Sequence, residues 1–242
     1  MKKLTKKVIH SLGYDLHRLN MNTKPEYQIF QSMKKFEIDL VLDIGANEGQ
    51  FSSEIRSVGY KGQIFSFEPL SEAHKKITQT ARRDKSWTVH PRCAIGDYDG
   101  NVEINISGNS FSSSVLPMTN AHSSVAKNSA YIGSEKVPIA RLDSVAPKYI
   151  SSTSRVFIKI DTQGFEWQVL DGASETLKNA QGVLCEMSLV PLYEGQYLWM
   201  DILKRLENEG FTLWALQRGF TDMNNGRTLQ MDGLFFRTES NS

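Results

Sequence analysis

The run Val41-Leu42-Asp43-Ile44-Gly45-Ala46-Asn47-Glu48-Gly49 sets the reading of this chain. Four apolar residues, Ile38 and Leu40 to Leu42, lead into an acid and two glycines, and a helical pattern of Phe51, Ile55 and Val58 follows. A short apolar run predicts a buried strand, and the glycines let the backbone turn tightly and approach a ligand closely. Strand, glycine turn and helix in that order are how an α/β protein builds a nucleotide site at the carboxyl edge of its sheet.

The spacing separates one nucleotide from another. A dinucleotide fingerprint, G-x-G-x-x-G, presents helix N–H groups to a pyrophosphate. Here the pattern is D-x-G-x-x-x-G, and Asp43 within it repels phosphate while suiting a cationic, amino-acid-like ligand. S-adenosyl-L-methionine (SAM) has that character, with an ammonium, a carboxylate and a sulfonium but no phosphate. The next strand candidate, Gln63 to Phe67, ends in Glu68-Pro69. A carboxylate roughly 20 residues beyond the glycine turn accepts hydrogen bonds from both ribose hydroxyls. SAM is therefore the expected cofactor, held by Asp43, Gly45, Ala46, Asn47, Gly49, Glu68 and Pro69, with NAD as the alternative.

Bulk properties bound the problem. The 242 residues fit one large α/β domain, and 40% hydrophobic with 23% charged residues is ordinary for a globular protein. A net charge of +1 provides no global field for nucleic acid, so none is expected as a partner. Cys93 and Cys185 lie in or beside apolar strand patterns, read as buried thiols of a reducing compartment, and no metal-type Cys/His spacing occurs. No apolar run reaches membrane-spanning length and Met1-Lys2-Lys3 lacks a signal-peptide core, so the expected location is cytoplasmic. Asn105-Ile106-Ser107 is then a chance sequon.

The expected organisation is an N-terminal helical segment over 1–37, a catalytic domain over 38–237 and a tail over 238–242. Within 1–22, Leu4, Val8, Leu12, Leu16 and Leu19 recur at helical spacing beside Lys2, Lys3, Lys6, Lys7 and Arg18. That stripe suits docking on the domain or partial disorder, with weak contact to an anionic membrane surface as the alternative. Helices are expected over 24–36, from an N-cap at Ser71 to about Asp84, from Glu166 to about Lys178, and from Leu198 to Glu209. Further strands are expected over Trp87–Cys93, Val102–Ile106, Val137–Leu142, Val156–Ile160 and Val183–Cys185, with a tight hairpin at Asp99-Gly100. Phe211–Leu216 and Leu229–Phe236 read as a final antiparallel pair. Alternating strands and helices imply a mostly parallel, doubly wound sheet. The Ser-rich stretch from Ser107 to Ser134 lacks periodicity, as in a substrate-covering loop or a plain mobile insertion.

A second constellation lies at Ile158-Lys159-Ile160-Asp161-Thr162-Gln163-Gly164-Phe165-Glu166. A buried strand delivers Asp161 to the same sheet edge, Gly164 permits a turn, and Glu166 opens a helix. Two carboxylates from one turn can orient an acceptor hydroxyl, take its proton or hold a cation; alternatively Asp161 caps the turn and Glu166 complements its helix. Asp161 is the first candidate for a catalytic role, with Glu166 and His122 behind it. Glu186 ends the next strand, and a set of Asp161, Glu166 and Glu186 would suit a divalent metal, although none is predicted. Tyr193, Tyr197, Trp199 and Trp214 are candidates for stacking on sugar or for packing.

With both constellations in view, the chain resembles the FkbM family of SAM-dependent methyltransferases. The matching runs are Leu42 to Gly49, Phe67-Glu68-Pro69, Ala94-Ile95-Gly96-Asp97, Arg141-Leu142-Asp143-Ser144, Lys159 to Glu166, Val169 to Ala173 and Met231 to Phe235. The resemblance implies a Rossmann-like class I methyltransferase fold and methyl transfer to oxygen, on sugar hydroxyls of glycans or glycolipids or on polyketide hydroxyls. It implies that Asp43, Gly45 and Gly49 hold the methionine half of SAM, Glu68 the ribose, and Ala94, Ile95 and Asp97 the adenine. Asp161 and Glu166 would face the acceptor. Gln163 departs from the Glu of many members, which weakens a metal role for this turn. A non-catalytic SAM- or nucleotide-binding module is the competing class.

Overall fold

The computed structural model describes residues 7, 9–14, 20–109, 111–126 and 128–238. Most of the amphipathic stripe read over 1–22, including Leu4, Val8, Leu16 and Leu19, lies outside the described residues. The strands in chain order are β1 (Leu40–Ile44), β2 (Gln63–Phe67), β3 (Trp87–Val89), β4 (Ala94–Gly96), β5 (Gly100–Ser107), β6 (Tyr131–Arg141), β7 (Val156–Ile160), β8 (Ala180–Ser188), β9 (Thr212–Arg218) and β10 (Gln230–Phe236). The helices are α1 (Pro25–Lys35), α2 (Gln50–Ser57), α3 (Ser71–Ala81), α4 (Asn120–Ser123), α5 (Leu142–Val145), α6 (Glu166–Asp171), α7 (Ser174–Asn179) and α8 (Trp199–Asn208).

Seven strands form the main sheet in the order β3-β2-β1-β7-β8-β10-β9. The first five run parallel, and β10 lies antiparallel between β8 and β9. This is the mostly parallel class I methyltransferase arrangement with its antiparallel C-terminal pair. All five residues of β1 and of β7 are buried, because each is flanked by strands and covered on both faces. Alternation divides the core into two layers. Leu40, Leu42, Ile158 and Ile160 pack with Val169, Leu177 and Leu206 on one face. Val41, Ile64, Phe157 and Phe236 pack with Ile29, Met33, Ile55 and Ile77 on the other. The chain leaves β1 toward β2 and returns to β7 on its other side, so the switch point that opens a ligand crevice lies between β1 and β7.

Five local expectations are corrected. No hairpin forms at Asp99-Gly100: Ala94 and Gly100 pair with opposite edges of Ile139, so β6 separates β4 from β5. Asp99 instead accepts hydrogen bonds from Arg141 N at 2.9 Å and the Ser144 hydroxyl at 3.0 Å. The helix expected from Glu166 to Lys178 breaks at Gly172, where a Cβ would lie 1.8 Å from the Gly96 carbonyl oxygen. Asp143 then caps α7 by accepting from Glu175 N and Thr176 N. Ser71 is not an N-cap; Leu70 holds that position, and Ser71 Oγ donates to Glu135 at 2.7 Å. Strand β3 stops at Val89, and β6 starts at Tyr131, inside the segment read as irregular. No helix among the described residues is long and apolar enough to cross a membrane.

Candidate active site

A cavity of about 550 Å³ opens at the carboxyl ends of β1, β2, β7 and β8. That volume lies within the usual range for small-molecule sites. Gly45, with φ +69, turns the chain away from β1; a Cβ there would lie 1.8 Å from the carbonyl oxygen of Asp161. Only glycine allows β1 and β7 to end this close together. Gly45, Ala46, Asn47, Glu68, Pro69, Ala94 and Ile95 line one part of the cavity. Asp161, Gln163, Glu186, Gln230 and Asp232 line another, and Phe111, His122 and Phe220 also line it, His122 from the short helix α4.

Glu68 is buried at the end of β2, where Oε2 accepts from Asn47 N at 2.8 Å and Oε1 from Leu70 N at 2.8 Å. Burial pushes its carboxyl up to about 7, against the pull of those two N–H groups and Lys159. Each oxygen keeps a further lone pair for a ligand hydroxyl. Asp43 is fully buried beneath the turn and is not on the cavity wall; its Oδ2 accepts from Ser52 at 2.7 Å and Ser66 at 3.4 Å. Gly49, with φ +90, packs against Trp87 and Ile77 behind the wall, and Asp97 is exposed away from it.

Lys159 links the two constellations. Its ammonium donates to Gly45 O at 2.8 Å and Ile44 O at 3.3 Å, and stands 3.4 Å from Asp43 and 3.6 Å from Asp161. Burial alone would depress its pKa, but the Asp161 and Asp43 carboxylates hold it above the ordinary lysine value. The one charged residue in an otherwise apolar strand was the readable signal for this role.

Gln163 occupies a left-handed conformation at φ 53. Its amide donates to Asp161 Oδ1 at 2.9 Å and Glu186 Oε2 at 2.7 Å, and its own oxygen accepts from the Tyr193 hydroxyl at 2.9 Å. Gln230 donates to the same Glu186 oxygen at 2.7 Å. Among the described residues no group of three or more His, Cys, Asp or Glu side chains is arranged to hold a metal ion. Glu166 is buried off the cavity, where it accepts from Thr162 N at 2.9 Å and Gly164 N at 3.0 Å. Burial lifts its carboxyl to about 7. It braces the turn that carries Gln163.

The described residues of the 107–134 segment fold over this end of the cavity. Ser114 bridges to Asn105, and its hydroxyl donates to Gln163 O at 2.6 Å. His122 in α4 is 2% exposed, with Nε2 3.4 Å from the Ser112 hydroxyl and its ring against Tyr193 and Phe220. Burial lowers its pKa. None of Tyr193, Tyr197, Trp199 and Trp214 lines the cavity; Tyr197, for example, stacks on Trp167 at 4.0 Å. The aromatic side chains that do line the cavity are Phe51, Phe67, Phe111, Phe165 and Phe220, none of which the sequence reading proposed for stacking on a substrate.

The donor set fits SAM. Among the described residues the Asp and Glu side chains lining the cavity, Glu26, Glu54, Glu68, Asp161, Glu186 and Asp232, outnumber the cations Lys159 and Arg218, a balance that suits a sulfonium and ammonium rather than a phosphate. Fold and site together define a SAM-dependent methyltransferase of class I type. The methyltransferase FkbM domain family matches residues 43–213, and the chain belongs to that family. The 2-O-methyltransferase NoeI of Sinorhizobium fredii (strain NBRC 101917 / NGR234) is 29% identical over 179 residues, covering 69% of this chain and 70% of its own. Solved structures with a similar chain path include magnesium protoporphyrin IX methyltransferase from Synechocystis PCC 6803 with bound SAM (TM-score 0.47, 11% identity, 98% of this chain and 97% of that one). An rRNA methylase from Streptococcus thermophilus is another (TM-score 0.47, 8% identity, 90% and 98%).

Proposed function

We propose that this methyltransferase methylates a hydroxyl of a sugar in a glycan or glycolipid. The observation that carries the reading is the row of planar polar side chains, Asp161, Gln163, Glu186, Gln230 and Asp232, lining one cavity with Glu68. Carboxylates and carboxamides in a row match adjacent hydroxyls of a polyol, since each can accept from or donate to an O–H. A relative named as a 2-O-methyltransferase supports oxygen as the acceptor atom. Nucleic acid is disfavoured, because the acidic lining repels a phosphate backbone.

In this reading Gly45, Ala46, Asn47, Glu68, Pro69, Ala94 and Ile95 contact SAM directly. Asp43 and Gly49 act from behind the wall, Asp43 by anchoring Lys159 and Ser52 under the glycine turn, while Asp97 stands outside the cavity. SAM, when bound, supplies a methyl group on an electron-poor sulfonium. Asp161 and Gln163 orient the acceptor oxygen in line with that bond, and alignment of this kind supplies much of the rate. Glu166 holds the turn, and His122 supports the loop above. The phenylalanines at the cavity wall favour a polyketide or other apolar acceptor as the second reading.

The test is a methyl-transfer screen with labelled SAM against free glycans, lipid-linked glycans, sugar nucleotides and polyketide alcohols, with and without chelator. Transfer to a glycan or glycolipid hydroxyl that persists in chelator is expected. Transfer confined to non-sugar alcohols would replace this reading with the second.

A further inference from the structure

We propose that Asp232 is the catalytic residue that takes the proton from the acceptor hydroxyl. This inference rests on the reading of the cavity as a site for methyl transfer to a hydroxyl. Asp232 lies on β10, in register with Glu186 on β8 and Gln217 on β9. Strand β8 adjoins β7, whose end carries Asp161. Asp161, Glu186 and Asp232 thus stand on three neighbouring strands, and all three line the cavity.

What separates them is their bonding. Asp161 accepts from the Gln163 amide and stands 3.6 Å from the Lys159 ammonium. Glu186 accepts from both Gln163 and Gln230 through one oxygen. Glu166 is committed to its own turn and does not reach the cavity. His122 has an unpartnered Nδ1, but that atom is buried and offers no surface to a substrate. Asp232 is half-buried on the cavity wall, and its carboxylate accepts no hydrogen bond from any described residue. A carboxylate already bonded to donors is a poor base, because proton uptake must displace them. Asp232 has nothing to displace.

The charges around Asp232 fit the task. Burial, with Asp161 nearby, raises its carboxyl to about 7 against the pull of Lys159. Glu186 faces it across the strand pair, Glu26 and Arg218 line the cavity from flanking elements, and Gln217 opposite is neutral. A base is most effective when its pKa lies near the working pH. In the step itself the acceptor oxygen forms a bond to the methyl carbon as the carbon–sulfur bond breaks, its electron pair staying on sulfur. The hydroxyl proton passes to a carboxylate oxygen of Asp232, leaving an ether, a neutral thioether and a carboxylic acid, so charge balances without a further reactant.

The full-length Asp232→Asn variant tests the assignment. Its melting temperature should not fall below wild type and, at about pH 6 where Asp232 is mostly protonated, its SAM affinity by calorimetry should match, while turnover at neutral pH falls by about 100-fold or more and the acidic limb of kcat against pH disappears. Turnover within about threefold of wild type, or a retained acidic limb, overturns the assignment. So does loss of SAM affinity, because a base on the acceptor side leaves the donor site intact. In ligand-free protein labelled with 13C-aspartate, the carboxyl resonance missing from the variant should titrate near 7; a midpoint in the ordinary aspartate range overturns the base role whether or not an acceptor is known. Failure of the underlying reading looks different: wild type then methylates no hydroxyl at all, while the titration near 7 is unchanged.

Discussion

The ammonium of Lys159 and the carboxylate of Asp43 stand 3.4 Å apart on adjacent strands, in direct register and both buried. The same ammonium bonds the Gly45 carbonyl, so one side chain ties the floor of the cavity to the turn above it. Removing one partner of a buried pair leaves the other charge uncompensated. Lys159→Met should therefore lower stability by about 3–5 kcal/mol, measured by urea denaturation. A loss well under 1 kcal/mol would show that Asp43 and Asp161 do not depend on it.

Glu68 accepts from two backbone N–H groups at the cavity wall and keeps lone pairs for a ligand. Glu68→Ala removes both functions. SAM affinity by calorimetry should fall by about tenfold or more, the equivalent of one to two hydrogen bonds to a charged group. Unchanged affinity would remove Glu68 from the donor site.

Glu166 carries a pH signature. Its folded-state carboxyl, at about 7, lies above the ordinary unfolded value, so the folded protein holds the proton more tightly. Its contribution is fully present below about pH 4 and is lost as pH rises through about 7. Burial of His90 and His122 lowers their pKa values and acts in the opposite sense, so the comparison with Glu166→Gln carries the prediction. Between pH 5 and pH 8 the melting temperature of wild type should fall relative to that of Glu166→Gln. Parallel curves would refute this.

The loop above the cavity is pinned at Ser114 and Met118, whereas Phe111 nearby is 61% exposed. An exposed aromatic on the wall of a substrate cavity should become covered when an acceptor fills the space below it. Proteolysis within 107–134 should slow several-fold with SAM and acceptor present together. An unchanged cleavage pattern would make the segment a fixed decoration.

Much of the sheet was readable because its signals are local. The apolar runs of β1, β2 and β7, the glycines after them, and Glu68 at the end of β2 involve residues close in the chain. The Asp99-Gly100 hairpin misled because a turn signal specifies a bend but not which strand pairs next, and β6 takes the place between β4 and β5. The close approach that leaves no room for a side chain at Gly172 was hidden because its partner is the Gly96 carbonyl, distant in sequence and close in space. Glu166 lies off the cavity, a placement its sequence position did not reveal, because its carboxylate accepts from donors in its own turn.

Hydrophobic periodicity and turn chemistry depend on neighbours within a few residues, so the chain alone was enough to set the parallel core, the glycine turn of residues 43–49 and the edge of the sheet where the cavity opens. The grouping of Asp161, Glu186 and Asp232, and the fact that Asp232 alone of the three accepts no hydrogen bond from a described residue, required the folded molecule. Strand register and the competition among nearby donors fix that arrangement, and both are set by contacts between segments far apart in the chain.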